Sequence, residues 1–163
     1  MNKAWRFVLA GGVVAGTFDI VYACVFWAIK LGVSPQRILQ RVASGWLGEA
    51  SLTGGLATAA LGFATHFLIA TTMSVTYYVV ARRRPALWER PVPYGAAYGL
   101  LLYVIMNHIV VPLSRAGASS SDPLWVGMSI AVHMLLIGLP IALFARCAIL
   151  VGLRSPVPVS DHV

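Results

Sequence analysis

Charge is what this chain has least of. Of its 163 residues, 10% are charged and 59% are hydrophobic, and the mean hydropathy is +0.81. A soluble domain carries about 25% charged and about 45–50% apolar residues. This chain lacks the polar side chains to cover a water-facing surface. That excludes a soluble enzyme and a disordered protein and leaves an integral membrane protein.

Cysteine is equally sparse. Cys24 and Cys147 lie in or beside apolar runs and form no CxxC or CxxH pair, which excludes a disulfide framework or a zinc finger. Val21 to Cys24 (VYAC) loosely resembles a lipoprotein cleavage site, but Asp19 interrupts the apolar stretch before it, so Cys24 reads as a buried small thiol. Acid is scarce too, with 5 Asp+Glu against 12 Lys+Arg, a formal charge of +7. The basic residues fall between apolar runs, where they set membrane topology rather than bind nucleic acid. A Walker loop, a GxGxxG turn, an HExxH pair and a nucleophile motif are all missing, and the expectation is a protein that is not an enzyme.

What the chain does have is four apolar runs, each long enough for the roughly 20 residues a spanning helix needs. They predict spans at residues 7–29, 52–81, 93–113 and 124–150, within a single domain over 1–153 that leaves a loose tail at 154–163. Inside a bilayer only helices or closed barrels satisfy the backbone, and these runs are too long and too uniformly apolar for barrel strands. The fold class is therefore all-α, a four-helix transmembrane bundle. The first run is too long for a signal peptide and lacks a convincing cleavage site, so it is expected to stay as a helix.

Loop charge gives the orientation. One face carries Lys3, Arg6, Arg82, Arg83, Arg84, Arg90, Arg146 and Arg154, and the other carries Lys30, Arg37, Arg41 and Arg115. The richer face belongs inside, which puts both termini in the cytoplasm. The Arg82–Arg84 cluster on that face also suits anionic lipid headgroups.

Between the first two spans, Ser34 reads as an N-cap and Pro35 as the first position of a short amphipathic helix. Ile38, Leu39, Val42 and Trp46 fall on one side, and Arg37, Gln40, Arg41 and Ser44 on the other. The pattern predicts a helix lying at the outer interface, either as a connector or as a lid. Asp122 and Pro123 make a cap for the fourth span.

Small residues spaced four apart mark the expected packing faces. They are Gly12 and Gly16 in the first span, and Gly54, Thr58, Gly62, His66, Ala70 and Ser74 in the second. The third has Gly95 and Gly99, and the fourth has Gly127, Ala131, Gly138 and Ala142.

Asp19, His66, Asn107, His108 and His133 are the strongly polar side chains inside the spans, and ionisable groups at that depth point to function. At 1.5 Å per residue, Asp19, His66 and His133 lie on the order of 15 Å from the outer helix ends, and His108 about 8 Å. Three chemistries fit one carboxylate and three imidazoles. Asp19, His66, His108 and His133 could ligate a transition metal. His66 and His133 could hold haem b from facing helices. A proton or ion relay fits as well. The cofactor stays open, and so does the bland alternative, in which these groups only bond helix to helix. The bilayer is the first partner, and a homo-oligomer or a larger membrane complex is the second.

The segment His66 to Ala81 (HFLIATTMSVTYYVVA), then Asn107 to Pro112 (NHIVVP), then Val132-His133, resembles the YagU-like family of bacterial inner-membrane proteins. His66, His108 with Pro112, and His133 occupy that family's histidine and proline places. The likeness covers residues 61–147. It departs before them, where the family's long insert is replaced by the short amphipathic segment, and at Leu139 to Ala145, which lacks an acidic residue. The resemblance implies a multi-pass protein of the bacterial inner membrane without an assigned biochemical activity.

Overall fold

A computed structural model of the chain describes residues 2–117 and 120–154. The expected tail lies outside them, including His162, except for Arg154, which closes the last helix. Helix α1 spans Lys3–Leu31, α2 Pro35–Leu47, α3 Gly55–Ala81 and α4 Pro85–Glu89. Helix α5 covers Pro91–Leu113 and α6 Pro123–Arg154. A 3-10 turn at Gly48–Thr53 joins α2 to α3. Helices α1, α3, α5 and α6 are the four long and apolar enough to cross a membrane.

Local chemistry sets the boundaries. The Asn2 side chain accepts from Ala4 N at 3.2 Å, and α1 stops at Gly32, whose φ of 65° suits a residue without Cβ. Ser34 Oγ accepts from Arg37 N at 3.3 Å, ahead of Pro35, and Asp122 Oδ1 accepts from Trp125 N at 2.9 Å, ahead of Pro123. Both caps fall where the sequence placed them.

Helices α1, α3 and α6 pack against one another, and α5 packs on α6. The small-residue stripes make these contacts. Gly12 and Gly16 of α1 receive Thr71, Ala70 and Phe67 of α3. Gly95 and Gly99 of α5 lie against Gly138 and His133 of α6, backbone on backbone. The α3 stripe drifts round its helix and serves two neighbours. Its first part, Thr58 and Gly62, meets α2, while His66, Ala70 and Ser74 meet α1.

The α6 stripe departs from expectation. Gly138 is buried, but Gly127 has no neighbour within 4 Å of an added Cβ and Ala131 is exposed. A π-helical turn at His133–Gly138 separates the two pairs and shifts the register between them. A second π turn, Met106–Val110, interrupts α5. Each ends two residues before a proline, Pro112 or Pro140. Proline offers no N–H and its ring crowds the carbonyl four residues back, so an α turn cannot close there.

Helix α2 also corrects its sequence reading. The face expected to be polar supplies its buried side chains, Gln40 at 3% and Ser44 at 1% exposure, together with Ala43. Gln40 Nε2 donates to Gly55 O at 3.0 Å, Leu39 and Ala43 abut Gly62, and Trp46 Nε1 donates to Thr65 Oγ1 at 3.1 Å. The helix therefore runs alongside the first turns of α3. Its small and polar side chains suit a close helix contact better than its bulky ones, which turn towards the space between α3 and α5.

The buried core sits at one end of the bundle. Ala4, Val8, Tyr77, Ala81, Ile141, Ala145 and Ile149 belong to it, all towards the end that carries Lys3, Arg82 and Arg154. Tyr98 Oη donates to Met73 O at 2.8 Å and ties α5 to α3 near mid-length. Beyond that bond, towards the α2 end, a cavity lies between the helices.

Candidate functional site

At the α2 end lies a partly open cavity of about 1110 Å³, just above the usual range for small-molecule sites. Every long helix contributes a polar side chain to it: Asp19 from α1, His66 from α3, Asn107 from α5, and Ser129 and His133 from α6. The apolar side of α2 closes it with Ile38, Val42 and Trp46. The segment after α5 fastens α2 in place, since Arg115 N donates to Gly45 O at 3.1 Å.

His66, His133 and Asn107 are each held by a backbone carbonyl. A nitrogen of His66, Nε2, lies 2.8 Å from Gly16 O, and Nδ1 of His133 lies 2.8 Å from Ser129 O. A carbonyl only accepts, so in each case the histidine nitrogen carries the hydrogen. Asn107 Nδ2 donates to Tyr103 O at 3.0 Å. The Tyr103 ring lies edge-on to His133, centroids 5.4 Å apart, and Tyr22 Oη shares a hydrogen bond with Ser129 Oγ at 3.2 Å. A belt of bonded polar groups thus rings the cavity.

Of the four residues named from sequence as metal ligands, Asp19, His66 and His133 share the cavity lining and His108 does not. The His108 side chain is exposed, on the far side of the π turn, with its ring 6.4 Å from that of Tyr103. Among the described residues no group of three His, Cys, Asp or Glu side chains comes close enough to hold a metal ion. The four-ligand metal reading is corrected accordingly: the carbonyl bonds turn His66 and His133 towards their own helix contacts, and His108 points away. The same bonds bear on the haem pair, His66 and His133. The His66 Nε2 that would face an iron is committed to Gly16 O, whereas His133 keeps its Nε2 open.

Sequence reasoning named Asn107 as polar but gave it no place in the site. The signal lay in Pro112, whose missing N–H underlies the π turn that carries Asn107 and His108. Three tryptophans were also missed: Trp27, Trp46 and Trp125 line the cavity. Trp125 stacks on Tyr22 at 5.1 Å and Phe26 lies 5.0 Å from it. Beside this cluster Lys30 pairs with Asp122, and the Lys30 hydrogen bond, with the backbone N–H of Trp125, holds the Asp122 carboxyl below its ordinary value.

No protein-family model, curated protein or solved structure matches the chain. The likeness to YagU-like proteins gains no support from these comparisons and rests on its short motifs.

Proposed function

We propose that this chain is a small multi-pass protein of the bacterial inner membrane, both termini cytoplasmic, that binds a small ligand or a proton and is not an enzyme. The observation that carries this reading is the cavity: one partly open space receives an ionisable or amide side chain from each of four apolar helices. Such groups are costly in hydrocarbon, and a ligand that pairs with them offsets the cost. The two π turns add support, because such turns are rare and recur at functional sites.

A second reading makes the chain an accessory or scaffold subunit of a membrane complex. Its support is that His66 and His133 already have helix carbonyls as partners, as purely structural histidines would.

Native mass spectrometry of the protein released from lipid nanodiscs separates the two. The binding reading expects a stoichiometric small-molecule adduct that is lost in Asp19→Asn. Adduct-free protein accompanied by a stoichiometric second polypeptide contradicts it and supports the scaffold. Absorbance and metal analysis of the same sample would reveal haem or a metal ion, either of which would overturn the ligand geometry described above.

A further inference from the structure

The cavity presents several unpaired acceptors, beside the indole N–H donors of Trp27 and Trp125. His66 and His133 each spend their ring hydrogen on a carbonyl, so the second nitrogen of each neutral ring, Nδ1 of His66 and Nε2 of His133, is a bare lone pair. Asn107 spends an amide hydrogen on Tyr103 O and keeps Oδ1 as an acceptor. Asp19 adds a carboxylate, outside the two ion pairs of the described residues, Lys30–Asp122 and Arg41–Glu49. Among the described residues no fully buried polar side-chain atom lacks a partner, so these unpaired acceptors are accessible.

The basic residues of the lining, Arg37 and Arg41, are engaged elsewhere. Arg37 and Arg41 are exposed at the rim, where Arg37 donates to Leu52 O at 2.7 Å and Arg41 reaches Glu49 at 3.4 Å. Both heads brace the turn that follows α2. Among the described residues, Asp19 is the acidic side chain of the lining, whose walls include the rings of Trp27, Trp46 and Trp125.

Resting on the reading of this cavity as a binding site, we propose that its ligand is a lipophilic organic ammonium: a protonated primary or secondary amine on an apolar, preferably aromatic, body. Its N–H donors can pair with one of the unpaired acceptors of the lining, at His66, His133 or Asn107. Its charge answers the Asp19 carboxylate, and its body and charge both suit indole walls. A carboxylate ligand would meet like charge at Asp19.

The test is tryptophan fluorescence quenching in nanodiscs at neutral pH, where simple amines are protonated as lysine is. Four probes share one body: 2-phenylethylammonium, its N,N,N-trimethyl derivative, 2-phenylethanol and phenylacetate. Charge-assisted hydrogen bonds predict that the wild-type protein binds the ammonium about tenfold tighter than each of the others. Asp19→Asn should abolish the preference over the alcohol. Asn107→Leu, a second variant should Asp19→Asn not fold, should weaken the ammonium and leave the alcohol unchanged. Equal binding of the trimethyl derivative, the alcohol or the acid overturns the proposal while leaving a binding cavity. Failure of every probe, together with adduct-free protein in native mass spectrometry, overturns the cavity reading and this proposal with it.

Discussion

His66 and His133 are placed by single carbonyl bonds that use opposite ring nitrogens. His66 turns Nε2 to Gly16 O on a neighbouring helix, which ties α3 to α1. His133 turns Nδ1 to Ser129 O one turn back on its own helix, which locks the ring and costs no interhelical bond. The first arrangement stabilises packing and the second presents a lone pair. Neutral rings must therefore differ in tautomer, Nε2–H at His66 and Nδ1–H at His133. Nitrogen-15 spectra of histidine-labelled protein, assigned with His66→Gln and His133→Gln, should show that pattern. The same tautomer at both positions would contradict the geometry. Asp19 and the three imidazoles were legible in the sequence as rare polar groups in apolar runs. Which of them meet was not, because a change of a fraction of a turn decides whether a side chain faces the cavity, as Asn107 does, or the outside, as its neighbour His108 does.

At the scale of the helices, small-residue stripes decide where backbones touch and proline decides where the stripes fail. The spans, the caps at Ser34 and Asp122 and the glycine faces of α1 and α5 could all be read from spacing and hydropathy. The α6 stripe could not, because a 3.6-residue period carried through Pro140 takes no account of the π turn before it. Helix α2 has its expected start and faces, but its packing was not legible, for a different reason. An amphipathic pattern identifies two faces but not their surroundings, and here Gln40 and Ser44 fit the narrow contact with α3 while Ile38 and Val42 fit the cavity. A Cβ at Gly62 would overlap the Leu39 carbonyl, and one at Gly99 the His133 carbonyl, whereas Gly127 faces open space. Gly62→Ala and Gly99→Ala are expected to destabilise the protein by about 1–3 kcal/mol each. Gly127→Ala should be neutral or stabilising, since alanine favours a helix over glycine by about 1 kcal/mol. Thermal unfolding in mild detergent gives the ranking, and a Gly127→Ala cost equal to the other two would break the account.

The whole molecule is packed at one end and open at the other. Towards the basic end, small side chains, tyrosines and branched aliphatics fill the space between the helices. Towards the α2 end a cavity lies between the helices, and α2 with the segment at Arg115 covers it. Polar side chains gather where packing stops, which is where a ligand or water would stabilise them. The central claim is that this space exists and reaches the Asp19, His66 and His133 level. It is tested most directly by cysteine labelling at two adjacent positions of α3. Ile69 lines the cavity, while Leu68 is 66% exposed on the outer surface of the bundle. In nanodiscs, and in a Cys24→Ser, Cys147→Ser background, a water-soluble charged methanethiosulfonate should modify Ile69→Cys rapidly and leave Leu68→Cys protected by lipid, because only a thiol that meets water forms the reactive thiolate. Equal protection of both positions, or faster labelling at 68, would contradict the account.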